Sequence, residues 1–125
     1  MTSSTDQLLR FAAASFPSVW ALELLLVLKR ERRPWPHDEL VTALRASDLV
    51  VSNALDALVA GGLASIEPAG AVYLPANEET EAMVRGLERL YQSRANAVRR
   101  AIVSSATGSA TAFAEAFRLR RGKDD

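Results

Sequence analysis

Glu39-Leu-Val-Thr-Ala-Leu-Arg-Ala-Ser-Asp-Leu-Val-Val-Ser-Asn-Ala-Leu-Asp-Ala-Leu-Val-Ala-Gly-Gly-Leu63 reads as two short helices joined by a tight turn. Asp38 and Glu39 open the first helix, where carboxylates meet the positive end of the helix dipole. Leu40, Val41 and Leu44 form its inner face. Ala46-Ser-Asp48 is the turn, and Ser47 is placed to cap the second helix. That helix carries Val51, Leu55 and Leu58 at core spacing, and Gly61-Gly62 ends it.

Reading outward toward the C-terminus, Leu63 to Glu67 and Ala71 to Leu74 look like two short strands, with Pro68-Ala69-Gly70 as the turn of a hairpin. Asn77 caps a further helix, and Glu78, Glu79 and Glu81 lie near its positive end. The helix runs to about Val103 or breaks near Ser93. Ser104 to Ser109 reads as a linker, followed by an amphipathic segment of about Ala110 to Arg121. Toward the N-terminus, Pro34-Trp35-Pro36 is a connector. Before it, Pro17 sits in the first turn of a helix that extends to about Arg32 and is apolar nearly all round from Val19 to Leu28. Ser4-Thr-Asp-Gln7 has the form of a capping box for a first helix ending near Ala14. The chain then divides into an N-terminal helix (1–16), a central unit (17–76), C-terminal helices (77–121) and a short tail (122–125).

Helix, helix, helix, hairpin, helix is the order of a winged helix-turn-helix domain: mainly α, with a small β wing and flanking helices. Over roughly residues 17–76 the chain resembles MarR-like and PadR-like bacterial regulators, through the 39–63 stretch and its closing Gly62-Leu63 pair. Phe113-Ala-Glu-Ala-Phe-Arg-Leu-Arg-Arg121 is also similar to the tail of small bacterial winged-helix proteins. The resemblance implies a transcriptional regulator that lays the second helix of the motif in the major groove of double-stranded DNA, and a twofold dimer. On that reading Ser52 and Asn53 touch base edges. Arg45, with Lys29 and Arg30, holds phosphates, and Ser47, Leu49, Asp56 and the wing-tip Gly70 belong to the same surface.

Charge supports a second reading. The whole chain is balanced, with 15 basic and 15 acidic residues. From Pro36 to Asn77, however, Arg45 alone opposes Asp38, Glu39, Asp48, Asp56 and Glu67, a net charge of −4. Phosphate contacts supply most non-specific affinity for DNA, and this stretch offers almost none. An acidic face centred on Leu49 instead suits a basic protein partner. Positive charge gathers elsewhere, at Lys29, Arg30, Arg32 and Arg33, at Arg94, Arg99 and Arg100, and at Arg118, Arg120, Arg121 and Lys123. These either grip phosphates or serve as helix caps and solvated faces.

The stripe Met83, Leu87, Leu90, Tyr91, Val98 and Ile102 is expected to form a homodimer interface, with Phe113 and Phe117 locking the tail; alternatively, these helices fold back on their own domain. Trp20 is expected in the core and Trp35 outside, stacked on the motif. Glu23 should pair with an arginine or lie on the one wet stripe of its helix.

Enzymatic chemistry finds no foothold. The chain has no cysteine and a single histidine, His37, so no metal site or nucleophilic triad is indicated and no cofactor is expected. The apolar run Val19–Leu28 is interrupted by Glu23 and falls short of the roughly 20 residues that cross a bilayer. With no secretory pattern at the N-terminus, a cytoplasmic protein is expected.

Overall fold

A computed structural model describes residues 4–105, which form six helices and a two-stranded antiparallel hairpin. The first helix, α1 (Thr5–Ser15), begins with the expected capping box. The Ser4 hydroxyl accepts the Gln7 amide at 3.1 Å, and the Gln7 side chain accepts the Ser4 amide at 2.9 Å. The second, α2 (Val19–Arg30), is capped by Ser18, which leaves Pro17 outside the helix rather than in its first turn. Its end comes at Arg30, two residues before the expected Arg32, so Arg32 and Arg33 are not cations of its last turn.

The centre of the molecule is α2, with Ala21, Leu22, Leu24, Leu25, Leu26 and Leu28 all buried. Fully burying a leucine contributes about 1.5–3 kcal/mol, so this helix dominates the core. Its wet stripe is Trp20, Glu23, Val27 and Arg30, at i, i+3, i+7 and i+10. Trp20 therefore stays 42% exposed instead of joining the core.

Next come α3 (His37–Leu44) and α4 (Asp48–Ala60), joined through Arg45 in the left-handed conformation, φ +54°. Leu40 is buried, and Val41 and Leu44 pack against the core beside it, as their spacing requires. On α4 the core positions are Val51, Ala54 and Leu58. Leu55, expected inside, is half-buried at the flank. Gly62, at φ +71°, turns the chain out of α4.

The hairpin pairs β1 (Ala64–Glu67) with β2 (Gly70–Tyr73), Ala64 opposite Tyr73 and Glu67 opposite Gly70. Only Pro68 and Ala69 form the turn, so Gly70 is the first residue of β2 rather than the wing tip. The connector before α3 takes part in the sheet. Trp35 and Ala71 exchange two backbone hydrogen bonds, of 2.8 and 2.9 Å, on the side of β2 away from β1. Gly70 makes that contact possible. A Cβ there would stand 2.4 Å from the Trp35 carbonyl carbon, and its φ of +141° belongs to glycine.

Asn77 caps α5 (Glu78–Ser93) by accepting the Thr80 amide at 2.8 Å. The chain breaks at Arg94 and continues as α6 over residues 95–105. The expected dimer stripe faces inward. Leu87, Leu90, Tyr91, Val98 and Ile102 are buried in one core with Leu8, Phe16 and the leucines of α2, and Met83 packs against its edge. At Gly86 a Cβ would lie 3.0 Å from Leu8, which shows how closely α1 and α5 approach. The C-terminal helices thus fold back on their own chain, and the surface assigned to a dimer is consumed internally. Phe113 and Phe117 lie outside the described residues. Among the described residues no single helix is long and apolar enough to cross a membrane.

Candidate functional site

Ser47 begins α4 as its N-terminal cap: its hydroxyl accepts the Val50 amide at 3.1 Å, so its acceptor role is structural. Beyond it, helical spacing puts Leu49, Asn53 and Asp56 on the outward face, all exposed, while Ser52 and Val50 are half-buried. Leu49 is 68% exposed. Val59, on the same helix, and Ile66, on β1, are also exposed, at 41% and 57%. Asp48 meets His37 Nε2 at 3.2 Å. No lysine or arginine occurs between Ala46 and Asn77.

Two of the three cations expected to hold phosphates, Lys29 and Arg30, are occupied. Lys29 Nζ lies 2.8 Å from Glu88, and the two side chains are only 13% and 15% exposed, so Lys29 is buried in an ion pair and is not a phosphate contact. Arg30 reaches the other oxygen of Glu88 at 3.4 Å. Burial pushes the Glu88 carboxyl up, but hydrogen bonds and charge from Lys29 and Arg30 together outweigh it and hold its pKa below the ordinary value. Arg32 pairs with Glu81 at 3.2 Å and lies over the Tyr73 ring at 5.0 Å. Arg33 is shared between Glu39 at 2.8 Å and Glu31 at 3.1 Å, and stacks 3.8 Å over Trp35. Among the predicted phosphate contacts, Arg45 alone is exposed without an ion pair among the described residues.

Two tyrosines extend this seam between α2 and the C-terminal helices. The Tyr73 hydroxyl donates to Glu81. The Tyr91 hydroxyl donates to Glu23 and accepts from Arg99 Nε at 3.2 Å. Burial, reinforced by the neighbouring glutamate, raises both tyrosine pKa values. Glu23 thus lies on the wet stripe of α2, the second of its two expected placements, with a tyrosine as its partner. The pairings of Glu88 and Glu81 went unseen in the sequence because their partners lie 59 and 49 residues away, with no local pattern to connect them.

A groove of about 390 Å³ runs between α4 and the hairpin. Leu55 lines it from α4, Ile66 to Ala71 from the hairpin, and Trp35, Pro36 and His37 from the connector. Trp35 therefore sits beside the motif, as expected, but as part of the sheet. Its indole Nε1 donates to the Glu31 carbonyl at 2.9 Å, which fixes the ring. Gly70 belongs to this groove rather than to an exposed tip. Among the described residues no three His, Cys, Asp or Glu side chains gather as a metal site. No protein-family model, curated protein or solved structure matches this chain.

Proposed function

We propose that the chain is a winged helix-turn-helix module without enzymatic activity that works by docking a protein partner on the outward face of α4. The element order supports the winged-helix reading, as does the one-residue bridge of Trp35 to Ala71, which ties the connector before the two helices to the hairpin. One observation carries the protein reading. Leu49 is 68% exposed at the start of α4, flanked by exposed Asp48 and Asp56, with no cation on that helix. An exposed leucine ringed by carboxylates resembles the apolar centre and charged rim of a protein interface. Against DNA the same carboxylates would stand opposite phosphates, and of the nearby cations Lys29, Arg30, Arg32 and Arg33 are already paired with Glu88, Glu81, Glu31 and Glu39.

Direct binding of double-stranded DNA is the second reading, favoured by Asn53 on the outward face and by the unpaired Arg45. Fluorescence anisotropy with labelled genomic duplexes across a salt series separates the two. The protein-docking reading expects no tight, salt-sensitive binding. Tight binding that weakens steeply with salt would overturn it and install the DNA reading, and Asn53→Ala should then relax sequence preference more than total affinity.

A further inference from the structure

Leu49 projects from a convex helix, whereas the groove beside it has walls. Leu55 lines it from α4, Ile66 from β1, and Trp35 and Pro36 from the connector. One part of this lining is anchored within the fold. Trp35 is held to Ala71 by two backbone hydrogen bonds and to Glu31 through its indole nitrogen. Gly70 leaves no room between the strand and the connector. A preformed apolar groove loses little entropy on binding, and about 390 Å³ accommodates an anchoring side chain.

Charge decides what flanks that anchor. Asp48, Asp56 and Glu67 are exposed around the face formed by α4 and the hairpin. Among the described residues His37 is the only basic group lining the groove, and it already meets Asp48. Arg33, over the Trp35 ring, is neutralised by Glu31 and Glu39. An approaching segment thus meets an apolar slot inside an acidic rim.

We propose that this groove is the anchor site for a partner protein, and that it takes one aliphatic side chain from a segment whose flanking residues are lysine or arginine. The proposal rests on the protein-docking reading of α4 and adds the place and chemistry of the contact. Cations on the partner would steer it to Asp48, Asp56 and Glu67, while the aliphatic anchor would supply the specificity.

The test uses the full chain carrying Trp20→Phe, a substitution at an exposed site that leaves Trp35 as the sole tryptophan and reporter. The probes are three short peptides without aromatic residues: lysine and alanine around a central leucine; the same with alanine for that leucine; and the same with glutamate for every lysine. The leucine–lysine peptide should shift Trp35 emission with a saturable dependence. Removing the leucine should weaken binding about tenfold or more, and the glutamate peptide should not bind. Ile66→Glu, at an exposed position, should abolish the response while circular dichroism stays unchanged. Equal binding with and without the leucine would overturn the anchor. If Leu49→Glu abolished binding and Ile66→Glu did not, the groove would fall while docking on α4 survived. Absence of any peptide binding, together with salt-sensitive DNA binding, would sink both.

Discussion

Two faces of this molecule carry similar numbers of carboxylates and use them differently. On the seam between α2 and the C-terminal helices, Glu88 meets Lys29 and Arg30, Glu81 meets Arg32 and Tyr73, and Glu23 meets Tyr91. On the face of α4 and the hairpin, Asp56 and Glu67 have no ion pair among the described residues, and Asp48 meets only His37. Unmatched charge alone is ordinary, and the exposed Arg85, Arg89 and Arg94 show as much. The difference lies in what the charges surround. The seam's acids border buried apolar side chains of the same chain, whereas those of α4 border exposed Leu49, Val59 and Ile66. Charges that enclose a core are structural, and charges around an uncovered apolar surface are suited to recognition.

The largest effect expected from this contrast is on stability. Leu87→Ala should cost about 2–5 kcal/mol, because Leu87 is fully buried in the core that also holds residues of α1 and α2, and truncation leaves a cavity. Leu49→Ala should change stability by no more than about 0.5 kcal/mol. Urea denaturation with light scattering checks both. A Leu87→Ala protein of unchanged stability but lower assembled mass would break the comparison and restore a dimer stripe on α5. A smaller loss, about 1–3 kcal/mol, is expected for Gly70→Ala, which forces a side chain into a left-handed conformation and against the Trp35 carbonyl. It should also disturb Trp35 emission. If stability and emission both stayed unchanged, the preformed groove would be wrong.

Local features were legible in the sequence because their physics is local. Ser4, Ser47 and Asn77 cap helices with their own nearby amides, the Gly61-Gly62 pair ends α4, and the break beside Ser93 is one of the two outcomes the sequence left open. The outward position of Asn53 and Asp56 followed from the helical repeat. What escaped depends on which surfaces meet. Periodicity identifies the stripe from Leu87 to Ile102 as apolar, and it is satisfied equally by a second copy or by α1 and α2. Trp20 looked like core because tryptophan is large and apolar, yet the register of the five leucines on α2 puts it on the wet stripe. The groove was hidden because it depends on Trp35 pairing with Ala71, a contact across 36 residues that places a connector inside a sheet.

The smallest effect sharpens the contrast through pH. Glu88 has a pKa below its ordinary value in the folded chain, so its pairing with Lys29 and Arg30 stabilises fully above the unfolded-state pKa and is lost as pH falls through the folded-state pKa. Most of the effect belongs to Lys29, since Arg30 is 55% exposed and its pair is weakened by solvent. Replacing the carboxylate by an amide keeps the shape and removes the charge. Glu88→Gln should therefore cost about 1 kcal/mol at neutral pH, with the gap to the parent closing in acid below the usual glutamate range. Asp56→Asn and Glu67→Gln on the other face should change stability by less than about 0.5 kcal/mol at neutral pH, because neither carboxylate has an ion pair among the described residues to lose. Urea titrations of the three variants at neutral and acid pH make the measurement. A pH-dependent loss from Asp56→Asn as large as that from Glu88→Gln would mean that the acids of α4 also hold the fold, and the distinction between the two faces would collapse.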